Sequence, residues 1–245
     1  MLMDALRGKK VLVTGGSRGI GAACVRMLSD MGCIVGFTYL GSEKEALEVK
    51  EDADGDVFVY RADASDHDAM KRTVTEFSRT GEHGFQGLVI NAGIYLRKSI
   101  TQMSIEDWRR TMATNLDGGF IAVREALPFM KDGSIVMISS QLAFKGSNLG
   151  SDYAASKAGL LGFARSLARE LAPEIRVNTI SPGYIDTDIL AGDSDHKRRS
   201  RIEQVPLGRI GTPEDVAAVV AFLLSDQSRY ITGSNIDVNG GLYIH

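Results

Sequence analysis

Three side chains in this sequence are of the types that proton transfer to an oxygen requires. Tyr153 and Lys157 stand four residues apart in Tyr153-Ala154-Ala155-Ser156-Lys157, and Ser140 ends the apolar run Ile135-Val136-Met137-Ile138. On a helix, positions i and i+4 share a face. A free tyrosine, with a pKa of about 10, is a poor acid or base at neutral pH, so an adjacent ammonium that stabilises its phenolate makes it useful in catalysis. A serine hydroxyl brought alongside can grip the same oxygen. Upstream, the turn Thr14-Gly15-Gly16-Ser17-Arg18-Gly19-Ile20-Gly21 follows the strand-like Lys10-Val11-Leu12-Val13. Glycines there let the backbone swing from strand to helix, so that amides at the helix start face a pyrophosphate. The two sets together suit hydride transfer to or from a carbon–oxygen bond. Ser140 and Tyr153 would polarise a carbonyl, and Tyr153 would give its proton to the forming alkoxide.

Those residues need a scaffold, and the sequence outlines one. β-Branched runs at Lys10 to Val13, Ile34 to Tyr39, Val57 to Arg61, Gly87 to Ile90, Ser134 to Ile138, Arg176 to Ile180 and Asn235 to Val238 alternate with helical periodicity. Apolar strands joined by crossover helices predict an α/β fold: a doubly wound parallel sheet of seven strands with helices on both faces. With 245 residues, 44% hydrophobic and 24% charged, residues 1–245 are expected to form a single domain. Ser104 with Asp107, and Thr212-Pro213 with Asp215, mark helix starts. Residues 187–211, charged, glycine-containing and less regular, are read as a mobile substrate lid following the sixth strand.

Composition narrows the function classes. A net charge of −3 with scattered Lys and Arg gives no nucleic-acid surface, and the run His196-Lys197-Arg198-Arg199-Ser200-Arg201 reads as a solvated helix face. Cys24 and Cys33, on a helix face and at a strand start, support neither a disulfide framework nor a zinc site, so no metal is expected. With no signal pattern and no apolar stretch of about 20 residues, the expectation is a soluble cytoplasmic protein without membrane association.

The series Thr14 to Gly21, Asp63, Asn91-Ala92-Gly93, Asn115, Ser140, Tyr153, Lys157, Pro182-Gly183 and Thr187 resembles the compact short-chain dehydrogenases/reductases over nearly the whole chain. That resemblance implies a Rossmann-type dinucleotide site. Gly15, Ser17, Arg18, Gly19, Ile20 and Gly21 would lie on the pyrophosphate side, with Asp63 and Ala64 by the adenine. Asn91, Ala92 and Gly93 would brace the turn, and Pro182, Gly183 and Ile185 to Thr187 would meet the nicotinamide. Lys157 would bond the nicotinamide ribose, and the main-chain carbonyl of Asn115 would hold a water that passes protons to Lys157. The second strand ends in Thr38-Tyr39-Leu40-Gly41-Ser42 without the carboxylate that NAD-preferring proteins place there. Arg18 can offer a guanidinium, and Ser42 a hydroxyl beside Tyr39, to a 2′-phosphate. NADP(H) is therefore expected over NAD(H).

Gln141, Phe144, Asn148 and Tyr184 are expected to line the substrate cleft, with Ile94 and Tyr95 opposite. A ketone or secondary alcohol is the implied substrate. Within the family the pattern is most similar to the 3-oxoacyl-acyl-carrier-protein reductases, through Tyr153 to Leu171, Pro206-Leu207-Gly208-Arg209 and Gly240-Gly241. Two departures weigh against carrier docking: Met130-Lys131-Asp132-Gly133 is short with no net charge, and Ala172-Pro173-Glu174-Ile175 lacks a basic residue. The Tyr153 helix is apolar almost all round and calls for burial on more than one side, so a homo-oligomer is expected. The resemblance adds a tetramer or dimer that pairs this helix and the Trp108 helix, with Asn239 to His245 near another interface. The alternative function is a non-catalytic nucleotide-binding regulatory or scaffolding protein on the same fold.

Overall fold

A computed structural model describes residues 6–81 and 84–244. Its sheet holds seven parallel strands, β1 (Lys10–Val13), β2 (Ile34–Tyr39), β3 (Val57–Arg61), β4 (Gly87–Ile90), β5 (Gly133–Ile138), β6 (Ile175–Pro182) and β7 (Asn235–Val238), in the order β3-β2-β1-β4-β5-β6-β7. The helices are α1 (Gly19–Asp30), α2 (Glu43–Glu51), α3 (His67–Ser78), α4 (Ile105–Met112), α5 (Gly118–Ala126), α6 (Leu142–Lys145), α7 (Ser151–Glu170), α8 (Asp195–Gln204) and α9 (Pro213–Leu224).

Strand alternation divides the core into two layers. Val11 and Val13 turn to one face, where Val35, Phe37 and Val89 pack beneath α1, α2 and α9. Leu12, between them, turns to the other, with Leu88, Ile135 and Met137 beneath α3, α5 and α7. Both faces are dry, which is why the strands read as continuous apolar runs. The expected strands recur with two extensions: β5 begins at Gly133, and β6 runs from Ile175 to Pro182 because Ser181 and Pro182 still pair with Asp237 and Val238.

Local signals act as expected at two helix starts. Ser104 and Asp107 form a reciprocal capping box on α4, as do Thr212 and Asp215 on α9, with Pro213 at the first helical position. Between α4 and α5 the chain widens into a π-helical turn, Ala113–Asp117, centred on Asn115. Chain order reverses between β1 and β4, and such a switch point opens a crevice at the carboxyl ends of the strands. Residues 187–211 are more regular than expected: they carry α8, and the parallel bridge Ile185–Gly211 closes the base of the segment.

Candidate active site

Two cavities meet at the crevice and share the Tyr153 ring as part of their common wall. The first, a groove of ≈ 470 Å³, runs over the ends of β1, β2 and β4. It is lined by Gly15, Ser17, Arg18, Gly19 and Ile20 from the glycine turn, Tyr39 at the end of β2 and Ser42 after it, Asp63 and Ala64 after β3, and Asn91, Ala92 and Gly93 after β4. Gly21, also expected there, serves the turn from behind: a Cβ on it would stand 2.1 Å from the Gly15 carbonyl oxygen and 2.6 Å from Asn91 Nδ2. Asn91 Nδ2 donates to the carbonyls of Thr14 (3.2 Å) and Gly15 (2.8 Å), which ties the turn to β4.

This groove fits a dinucleotide. Arg18, the residue at the start of α1, makes no side-chain cap, and the first turn carries no acid, so its amides are left to an outside acceptor. Gly19, at φ 53°, is the helix's first residue. Asp63 is held by its own turn, accepting from the amide and hydroxyl of Ser65 at 2.9 and 2.7 Å. The strand-end segment contributes no carboxylate, but the fold brings Asp188 to the groove, where it pairs with Arg18 Nη1 at 2.7 Å.

The second cavity, a cleft of ≈ 790 Å³, lies on the far side of Tyr153. Ser140, Gln141, Asn148 and Tyr184 line it, and so do Pro182, Gly183 and Ile185; Thr187 reaches both cavities. Phe144 does not: it turns away and stacks against Tyr243, ring centroids 6.1 Å apart, because the single helical turn of α6 sends successive side chains to different sides. Ile94 lines the groove, while Tyr95 lines the cleft and stacks on Tyr153 at 4.5 Å. Gln141 is buried, and its Oε1 has no hydrogen-bond partner among the described residues. Arg97, Lys145, Lys197 and Arg201 also line the cleft. Their sequence positions carried no such signal; α8 is a helix as expected, but part of its charged face is turned to the cleft rather than to bulk water.

At the shared wall, Ser140, Tyr153 and Lys157 come together. Burial pushes the Tyr153 phenol up to about 12; hydrogen bonding with Ser140 works in the opposite direction. The expected acidification by Lys157 is not what dominates here. The Lys157 ammonium lies 5.7 Å from the Tyr153 ring centroid and donates to the Ile138 carbonyl at 2.8 Å. Loss of hydration lowers Lys157 from 10.5 to about 8. Asn115, fully buried, accepts from the Ile94 amide and donates to the Ile94 carbonyl and Ser156 Oγ, so its side chain is wholly engaged. Among the described residues, no three metal-ligating side chains cluster.

A family model described as enoyl-(acyl carrier protein) reductase matches residues 15–243, and with this fold and site the chain belongs to the short-chain dehydrogenase/reductase family, oxidoreductases acting on carbonyl and hydroxyl groups. Among its relatives, the 3-oxoacyl-[acyl-carrier-protein] reductase FabG of Staphylococcus aureus is 39% identical over 96% of this chain and 98% of its own. FabG of Aquifex aeolicus is also 39% identical, over 97% and 98%. A crystal structure of a short-chain dehydrogenase/reductase from Brucella melitensis superposes with a TM-score of 0.93 at 35% identity, covering 98% of both chains.

The Lys157 shift has a signed consequence. The group is charged below its lowered value of about 8 and neutral above it. Between about 8 and 10.5 the unfolded chain binds the extra proton, so this residue makes stability rise with pH in that window. Any step that relies on the ammonium moves the other way. The kcat/KM for carbonyl reduction is expected to fall through pH of about 8 as one proton is lost, and the limb should vanish in Lys157→Arg, measured by pH–rate profiles. A limb that persists in that variant belongs to another group.

Proposed function

We propose that this protein is an NADP(H)-dependent reductase of ketones, 3-oxoacyl thioesters among them, that also catalyses the reverse oxidation of secondary alcohols. The convergence of Ser140, Tyr153 and Lys157 between a nucleotide-shaped groove and a separate cleft carries this reading. A bound nicotinamide nucleotide supplies or accepts the hydride. Ser140 and Tyr153 hold the substrate oxygen with two hydroxyl donors, and negative charge growing on that oxygen strengthens both bonds. Tyr153 releases its proton to the oxygen, and the Lys157 ammonium offsets the charge left on the phenol. Because the Asn115 side chain is engaged, its part in proton supply runs through its main-chain carbonyl, at the widened π turn.

FabG relatives carry the 3-oxoacyl reductase name, and identity over nearly full length supports extending that substrate class here. Residues 187–211 act as the substrate lid in this scheme. Ile189, Leu190, Lys197 and Arg201 line the cleft, and ion pairs tie the segment to its surroundings through Arg18–Asp188, Arg97–Asp193 and Arg198–Asp186, while Arg201–Asp193 braces it internally. The buried, free thiols of Cys24 and Cys33 agree with a reducing cytoplasmic setting, and among the described residues no helix is long and apolar enough to cross a membrane.

Three measurements test this function. Tyr153→Phe should lower kcat for ketone reduction by about 10²–10⁴-fold while NADPH still binds, as followed by NADPH absorbance and by titration. Near-normal turnover would remove the proposed acid. NADP(H) preference rests on Arg18 and on a strand end without a carboxylate. The Arg18–Asp188 pair is exposed and worth at most about 1 kcal/mol, less than the charge-assisted bonds a phosphate dianion makes. In Arg18→Ala, kcat/KM for NADPH should fall about tenfold or more, and that for NADH by much less; equal losses would reject the assignment. Finally, Ile105, Trp108 and Phe120 are exposed along α4 and α5, and α7 presents the small residues Ala158 and Gly162, which suits helix pairing between subunits. His245 lies outside the described residues, so only Asn239 to Ile244 of the C-terminal segment can be placed. Light scattering at micromolar concentration should give a dimer or tetramer mass, and a monomer would overturn the proposed assembly.

A further inference from the structure

The substrate cleft has an unbalanced charge. Among the described residues, four cationic side chains line it, Arg97, Lys145, Lys197 and Arg201, and no acidic residue does. Asp193, its side chain buried, answers three of them: Arg97 at 3.6 Å, Lys197 at 2.9 Å and Arg201 at 2.5 Å. Lys145 has no acidic partner among the described residues. It comes instead from the end of α6, with Nζ 5.8 Å from the Tyr184 ring, and Arg201 lies over the same ring at 4.3 Å. Two cations thus share one aromatic side chain at the cleft wall.

Like charges gathered in a part-buried cavity raise one another's energy, and a protein carries that cost where an anion relieves it. Lys145 is exposed overall, yet partial loss of hydration and, after it, the Arg201 guanidinium hold its pKa below the usual lysine value. Arg97 adds an independent sign. It is the one non-glycine residue with positive φ, 52°, among the described residues, an unfavourable conformation that persists only where its surroundings enforce it. There it reaches both Tyr95, at 5.5 Å, and Asp193.

We infer that the cleft selects a carbonyl substrate bearing an anionic group, a carboxylate or a phosphate, which Lys145 and Arg201 receive beside Tyr184 while Ser140 and Tyr153 hold the reacting oxygen. This deepens the reductase function proposed above and rests on it for the position of the carbonyl. The remaining wall, with Leu142 and Leu190, accommodates an aliphatic spacer between the two ends. A cleft of ≈ 790 Å³ leaves room for a spacer of several carbons.

The test separates anion binding from turnover. Calorimetric titration of the unreactive pair hexanoate and hexanamide into wild-type protein, with NADPH present, should give about tenfold tighter binding of the acid. That ratio should collapse in Lys145→Met and return in Lys145→Arg. In parallel, kcat/KM is compared for 5-oxohexanoate, its methyl ester and 5-oxohexyl phosphate. Wild type should favour an anion over the ester about tenfold, and Lys145→Glu should reverse the order. Preference for the carboxylate or for the phosphate identifies which anion the site takes. Equal binding of hexanoate and hexanamide, or equal losses for acid and ester in Lys145→Met, would overturn the anion site even if ketones are reduced. Anion binding lost on Lys145→Met without reduction of any of the three ketones would instead sink the reductase function and leave the site standing.

Discussion

The Lys157 ammonium is only 3% exposed, and the carbonyl of Ile138, 2.8 Å away, replaces part of its lost hydration. An ammonium removed from water costs several kcal/mol unless the surroundings supply oriented dipoles, so the surrounding geometry has little freedom. The end of β5 must stop where the Ile138 carbonyl faces inward, and α7 must dock close beside it. Ser139 secures that docking by donating from Oγ to the carbonyl of Lys157 itself. Across the same space, a Cβ on Gly93 would come 3.2 Å from Asn115 Oδ1, tighter than ordinary contact, and 3.4 Å from Nζ, so the loop after β4 passes close to both groups. Asn115, at the π turn, fixes that loop by pairing with both polar main-chain groups of Ile94. One buried cation therefore couples β4, β5, α7 and the α4–α5 junction.

The two cavities divide the chemistry between them. The groove is lined from the glycine turn and from the segments that follow β2, β3 and β4, which the sheet holds in place, as suits a ligand common to many enzymes. The cleft is built from less regular parts: α6 and the loop after it, the loop after β6, and the 187–211 segment. Its polar groups include the long cationic side chains of Arg97, Lys145, Lys197 and Arg201. Specificity can change there without disturbing the sheet. The Tyr95–Tyr153 stack and the Tyr95 hydroxyl bond to the Leu149 carbonyl, at 2.6 Å, connect these variable loops to the reacting phenol.

Much of the scaffold was legible because its signals are local. Strand bounds follow from apolar runs, and those of five strands coincide with the expected ones. The caps at Ser104 and Thr212 follow from a hydroxyl and an acid three residues apart. The glycine turn, Asn91 and the Ser140, Tyr153 and Lys157 set were recognisable from type and order, and the structure brings them together. Phe144 was misplaced because a four-residue helix does not reveal which side faces the cleft. Asp188 and the cleft cations were hidden for another reason: each is unremarkable in sequence, and its partner lies far along the chain.

Sequence by itself therefore determined the periodicities, the caps and the chemical types at the reacting centre, since these depend on neighbours within a few residues. Tertiary structure alone decided how charged those types are and whom they face. Lys157 turns to a carbonyl and its ammonium is weakened by burial; Arg18 meets a carboxylate from a distant segment; Lys145 and Arg201 come to the same ring. Desolvation and Coulomb interactions depend on distance through space, and separation along the chain does not report it.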